Sequence, residues 1–236
     1  MANKTLSENI SQAISDFNGI KQAIIDKGVS VPSGTPTSKY GEKIGEIQSG
    51  GGGSDEEFIK MVEGEATEIT LPSGLTKIGS YAFMNYSTLN YIEIPNWITI
   101  IQTYAFYGCK NLALTSLPDS LTNMGAYAFQ GCTNLALTSL PDGLNHIANN
   151  VFYNCTNLAL TSLPAGVTNI SGYAFRNCTG LKELTFTNKS KPTIAPTAFS
   201  GCTNLTTIRV PWRKAAVSRA PWGATKATII YNYYTE

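Results

Sequence analysis

A single histidine, His146, serves all 236 residues of the chain. Without a second imidazole, histidine-built metal sites are excluded, as is any Ser-His or Cys-His couple that does not use this one residue. Its equivalents in neighbouring repeats are Lys77, Ile100, Asn123 and Asn169, so it reads as a variable, exposed loop position. Charge is scarce as well: 14% of residues are Asp, Glu, Lys or Arg and the net charge is +1, so no basic field argues for a nucleic-acid partner. No run approaches the 18 apolar residues of a membrane span, and the opening MANKTLSENISQ has no apolar core of a signal peptide. Neither membrane insertion nor Sec export is expected. The five cysteines are an odd number without a C-x-x-C pair, which argues against a disulfide framework and a zinc site alike. No cofactor or metal is expected, and no enzymatic activity.

What the chain has is repetition. ALTSLPDSLTNMGAYAFQGCTNL (113–135) returns as ALTSLPDGLNHIANNVFYNCTNL (136–158), with 13 of 23 positions identical. A period of this size is the signature of a solenoid, in which a unit too small to bury its own apolar side is covered by the next copy. Pro72, Pro95, Pro118, Pro141 and Pro164 are 23 apart, and Phe83, Phe106, Phe129, Phe152 and Phe175 keep the same step. Phe199 arrives one residue late and Thr187 takes the proline slot, so a bulged loop is expected within 188–196. Each of six coils carries a short apolar strand, then an Ile or Met, then Ala-Phe-x-Gly/Asn-Cys-x-x-Leu. Strands of successive coils should pair in parallel about 4.8 Å apart, giving a rod of roughly 30 Å.

The flanks divide the chain further. Leu6, Ile10, Ala13, Phe17, Ile20 and Ile24 form a heptad seam over the first part of a helical module, 1–47. Either the seam trimerises the chain and docks it on an assembly, or Tyr40, Ile44 and Ile47 fold back to cover it as a helix hairpin. QSGGGGS (48–54) is a flexible linker. The solenoid is placed at 55–210, opened by a capping helix that starts at Asp55 with Phe58, Ile59 and Met61. Residues 211–236 are read as a C-terminal cap: a short helical stretch at 213–220, a Pro221-Trp222-Gly223 turn and a strand over 227–234. That strand either pairs with the last coil and hides its edge, or Trp212, Trp222 and the tyrosines make a contact patch.

LPSGLTKIGSYAF, LPDSLTNMGAYAFQGCTNL and LPAGVTNISGYAFRNCTGL resemble the BspA-type leucine-rich repeat, over about residues 66–210. The end segments, ISQAISDFNGIKQAIIDKGVSVPSGTPTSKYGEKIGEI and VPWRKAAVSRAPWGATKATIIYNY, resemble the ends of tail- or fibre-type virion appendage proteins from phages of gut Firmicutes. The fold class expected is therefore an α+β solenoid of about six 23-residue coils with a parallel β-sheet, a short N-terminal helical module and a C-terminal cap.

The repeat slots serve as an alignment of the chain with itself. Ile78, Ile101, Met124, Ile147 and Ile170, the phenylalanines, and Leu89, Leu112, Leu135, Leu158, Leu181 and Leu205 should face the core. Cys109, Cys132, Cys155, Cys178 and Cys202 share one slot, filled by Tyr86 in the first coil, and read as a ladder of buried thiols. The open face of the sheet should carry Thr70, Glu93, Ser116, Ser139, Ser162, Thr185 and Arg209 as candidate ligand contacts. A second candidate surface is Tyr81, Tyr104, Tyr127 and Tyr173, interrupted by Asn150; these rings either bind a glycan or protein loop, or pack on one another and shield the core. In the middle coils Leu114, Leu137 and Leu160 replace Glu68, Tyr91 and Glu183, which predicts a change of strand path. Asp119 and Asp142 follow the Leu-Pro as repeat equivalents, where a turn role is natural and a glycosidase-like pair the sharper alternative.

The functional expectation is a non-enzymatic binding module: a phage virion appendage or receptor-binding component that meets a host cell-surface protein or glycan. Other virion proteins would bind its N-terminal module, with a homotrimer as one form, and its location would be the virion. A BspA-like adhesin on a bacterial cell surface and a virion decoration protein without a ligand are the alternatives.

Overall fold

The computed structural model describes residues 67–71, 75–214 and 220–232. In chain order the strands are β1 (Glu68–Thr70), β2 (Lys77–Ile78), β3 (Tyr91–Glu93), β4 (Ile100–Ile101), β5 (Asn123–Met124), β6 (His146–Ile147), β7 (Ser162–Leu163), β8 (Asn169–Ile170), β9 (Glu183–Phe186), β10 (Thr193–Ile194), β11 (Thr207–Val210) and β12 (Thr228–Tyr231). They pair only in parallel, each with its equivalent one coil away. One ladder holds β1-β3 and, further on, β12-β11-β9-β7; the other holds β2-β4-β5 and β10-β8-β6. The register is the repeat itself: Ile78 lies beside Ile101 and Ile101 beside Met124, 23 residues on at each step.

A third stretch of every coil bonds to its neighbour without being a strand. Amides of alternate residues donate to the next coil, as in Tyr104 to Ala126, Phe106 to Ala128 and Gly108 to Gln130. The residues between them donate three positions back within their own coil, as Tyr107 does to Tyr104 and Cys109 to Phe106. This alternation needs left-handed backbone every fourth residue: φ is +60° at Tyr104 and +74° at Gly108. All six residues preceding the Cys slot are Asn or Gly with positive φ (Asn85, Gly108, Gly131, Asn154, Asn177, Gly201), the residue types that tolerate that region best.

The expected α+β class is corrected on these grounds. Among the described residues there are strands and turns but no α-helix, so the fold is an all-β solenoid. Phe106, Cys109 and Leu112 recur every three residues as on a helix face, yet positive φ and inter-coil bonds hold the segment in turns. The helical readings for 1–47 and for the segment opened by Asp55, and the seam Leu6, Ile10, Ala13, Phe17, Ile20 and Ile24, lie outside the described residues, as does most of 213–220. His146 is exposed, as anticipated, but lies on β6 and not in a loop.

One core runs the length of the stack. Phe83, Phe106, Phe129, Phe152, Phe175 and Phe199 form a single row, with centroids 5.1, 5.2, 5.9, 5.6 and 5.1 Å apart and rings within 15° of parallel. The Ile/Met and Leu rows are buried beside it. The change of strand path is real and has a simple cause. In the second coil the inward residue is Ile92, flanked by exposed Tyr91 and Glu93, as a strand requires; in the third, Leu114 and Leu117 are both buried with exposed Thr115 and Ser116 between them. Two inward side chains three apart cannot sit on one face of a two-residue pleat. The first ladder accordingly has no strand at 113–117 or 136–140.

The extra residue of the sixth coil is absorbed before β10, since Thr193 pairs with Asn169, 24 residues back. Asn188 is 3% exposed there, and its Nδ2 donates to the carbonyls of Ala165 and Val167, both at 2.7 Å. The Trp212 indole donates to the Asn188 carbonyl at 2.9 Å. Trp212 and Trp222 are buried against Phe186, and β12 continues the sheet beyond β11. The tryptophans therefore close the core and form no exposed patch.

Candidate binding surface

Of the residues anticipated on the open face of the first ladder, Thr70, Glu93, Ser162, Thr185 and Arg209 lie on its strands, whereas Ser116 and Ser139 lie in stretches without a strand. Glu93, Ser116 and Ser139 are exposed, while Ser162, Thr185 and Arg209 are half-buried. Thr70 lies on β1 opposite Glu93. Toward the C-terminal end Arg209 donates to Glu183 at 2.6 Å across neighbouring strands. Hydroxyls fill the middle of this face, with Glu93 toward one end and the Arg209–Glu183 pair toward the other, a surface suited to many weak polar contacts.

The tyrosine row is built by the third stretch. Tyr81 stacks on Tyr104 at 5.1 Å and Tyr104 on Tyr127 at 4.7 Å, with planes 9° and 8° apart. Tyr107 leans on Tyr104 at 5.6 Å. Burial first, then the neighbouring phenols of Tyr127, Tyr81 and Tyr107, raise the Tyr104 hydroxyl above its ordinary 10.0. Tyr104 carries a ring on either face and offers a ligand only its edge and hydroxyl, whereas Tyr81 and Tyr127, at the two ends of the trio, each stack on one face only among the described residues. Tyr173 stands apart from the trio, with Asn150 on the rung between it and Tyr127, and is 38% exposed. The Arg176 guanidinium lies 5.1 Å from the Tyr173 ring centre and 5.4 Å from that of Tyr153. Arg176 and Tyr153 were only variable slots by sequence; their one signal was an arginine following an aromatic one repeat earlier.

The cysteine row is internal. Each thiol donates to the carbonyl of the phenylalanine one coil back: Cys109 to Phe83, Cys132 to Phe106, Cys155 to Phe129, Cys178 to Phe152 and Cys202 to Phe175, at 2.8–3.0 Å. All five are free and buried. Burial pushes Cys109 and Cys202 up from 9.0 to about 12 and the three between them well above 9.0. Thiols so held are poor nucleophiles and poor metal ligands.

The lone histidine does contact a serine: His146 Nε2 lies 2.8 Å from Ser171 Oγ. The Ser171 hydroxyl, however, donates to Asn169 Oδ1 at 3.1 Å. The serine hydroxyl thus has two polar neighbours, the imidazole and the Asn169 amide, and among the described residues no carboxylate is hydrogen-bonded to the imidazole to orient it as in a catalytic triad. Asp119 and Asp142 are exposed turn residues. Among the described residues no group of three or more His, Cys, Asp or Glu is placed to hold a metal ion, and no helix is long and apolar enough to cross a membrane.

Comparison with known proteins fits this geometry. The BspA type leucine rich repeat region matches in six copies over residues 60–182 and 145–219. No curated protein matches. Among solved structures, a leucine-rich repeat protein from Bacteroides ovatus is similar at 21% identity and TM-score 0.35, covering 71% of this chain and 61% of that one. The T. pallidum leucine rich repeat protein gives 21% and 0.43, with coverage of 71% and 70%. One from Eubacterium ventriosum gives 22% and 0.46, with coverage of 67% and 47%. The chain thus spans less than two thirds of the Bacteroides ovatus and Eubacterium ventriosum structures. With six repeat copies spanning the solenoid, the chain belongs to the BspA-type leucine-rich-repeat family, as a non-enzymatic binding or structural module.

Proposed function

We propose that the chain is an adhesion-type binding module that meets a cell-surface protein or glycan through the long sides of its solenoid, in the manner of a bacterial surface adhesin. One observation carries the reading: rows of equivalent Ser, Thr and Tyr side chains repeat along the stack, while all five thiols are buried. Repetition at a fixed step suits a repeating or extended ligand, because identical weak contacts add along one rigid body. The test is adherence of the full chain to intact cells of candidate partners, read by fluorescence. Saturable adherence that soluble chain competes away supports the proposal; no adherence to any cell type leaves a purely structural role.

A phage virion appendage of the same binding type is the second reading, favoured by the likeness of the segments at 10–47 and 210–233 to the ends of such proteins. Antibody against the chain separates the two. Label on bacterial envelopes supports the adhesin, and label on virus particles supports the appendage.

A further inference from the structure

The tyrosine row has one missing rung, where Asn150 stands in place of a tyrosine. Tyr81, Tyr104, Tyr127, Asn150 and Tyr173 occupy one slot with one backbone conformation, φ +63°, +60°, +62°, +55° and +58°. The ladder continues through the gap: the amide of Tyr127 donates to Asn149 and that of Asn150 to Gly172. Tyr127 and Tyr173 are therefore two coil steps apart, about 10 Å at the spacing between hydrogen-bonded strands. The rings before the gap sit 4.7–5.1 Å apart, so the rung that Asn150 leaves out is one ring thick. Tyr127 has no ring partner on that side among the described residues, and Tyr173 is exposed.

Arg176 lies at this place, its guanidinium against Tyr173 and Tyr153. Among the described residues it has no carboxylate partner; the ion pair present there is Arg209 with Glu183. A planar fork of donors, oriented by two rings and left unpaired, is arranged for a carboxylate. Among the described residues the exposed large hydrophobics are Tyr81, Tyr91, Trp97, Tyr173 and Ile230, of which Tyr173 borders this rung, and the chain neighbours there are the polar Asn149, Asn150 and Ser171. That favours a polar ring over an apolar peptide anchor.

We infer that the gap between Tyr127 and Tyr173, floored by Asn150, binds a pyranose bearing a carboxylate, with the sugar ring against tyrosine and the acid on Arg176. This rests on the surface-binding reading and gives it a ligand class.

The row itself supplies the variant that tests it. Asn150→Tyr fills the rung with a residue that the same slot already holds at four positions, so the fold should tolerate it and the thermal midpoint should stay or rise. Binding of digalacturonic acid to the full chain is followed by ligand-observed NMR, with its methyl ester as the uncharged control. The unaltered chain should bind the acid and not the ester. Arg176→Ala should weaken binding about tenfold or more, the scale of one lost charge-assisted pair, and Asn150→Tyr should abolish it. No binding of the acid, equal binding of the ester, or full binding by a folded Asn150→Tyr chain each overturns the inference. Cell adherence that persists unchanged in Asn150→Tyr also overturns the slot while leaving the surface-binding reading standing; absence of adherence by the unaltered chain refutes that broader reading instead.

Discussion

The phenylalanine row and the tyrosine row are made by the same coils, two residues apart in sequence, and they behave differently. The inner row is complete in all six coils, with rings 5.1–5.9 Å apart and no substitution. The outer row holds three consecutive rings, breaks at Asn150 and resumes with Tyr173 alone. Both rows have the same backbone support, so the difference is burial. A missing inner ring leaves a cavity that nothing fills, whereas a missing outer ring leaves a place that solvent or a ligand occupies. The inner row sets the step of the solenoid, and the outer row is free to be cut to a purpose.

High pH attacks the inner rows most broadly and gives the largest effect. The cysteine thiols have folded values raised above 9.0, to about 12 for Cys109 and Cys202. The folded state thus resists thiol ionisation: this contribution to stability is complete below 9 and is lost as pH rises from there through about 12. Denaturant midpoints should be flat on the acid side of this window and fall steeply across it. Replacing all five cysteines by alanine should flatten the fall even though the chain is weaker at neutral pH.

Phe129→Ala should cost about 3–5 kcal/mol in urea unfolding, the usual range for a buried aromatic. Tyr104→Ala, which removes two stacked contacts from the outer row, should cost only about 1–2 kcal/mol. Equal losses would erase the distinction between the rows. At the left-handed slot Asn177→Ala should cost about 1–2 kcal/mol, since φ is +59° and the bond from its Nδ2 to Asn154 Oδ1 is lost. Asn177→Gly should cost less, because glycine accepts that backbone. Arg209→Ala should change stability by less than about 1 kcal/mol, since water reaches both members of its pair with Glu183.

The inner half of this picture was legible in the sequence because each apolar slot repeats at a step that only stacking explains. Phe129, Cys132 and Leu135 could be placed inside from their spacing alone. The outer half was less so. Stacked and ligand-binding tyrosines obey the same spacing, and the meeting of Arg176 with Tyr153 and Tyr173 depends on side-chain direction, which a repeat does not encode. Leu114 announced a change of path, but its form, two inward leucines in place of a pleat, needed coordinates. The buried Asn188 and the turn toward Trp212 arise from the one irregular coil, where self-alignment fails. The helices expected at 1–47, from Asp55 and at 213–220 rested on the flanks and not on the repeat, and the described coils are built of strands and turns without an α-helix.

The thiol count tests the central claim of one unbroken core most directly. All five cysteines of the chain lie in a single buried row, so Ellman's reagent at pH 8 should find none in the folded protein and all five after denaturation, appearing together with the unfolding transition. One or more thiols that react at once in the folded chain, or fewer than five after unfolding without reductant, would contradict it.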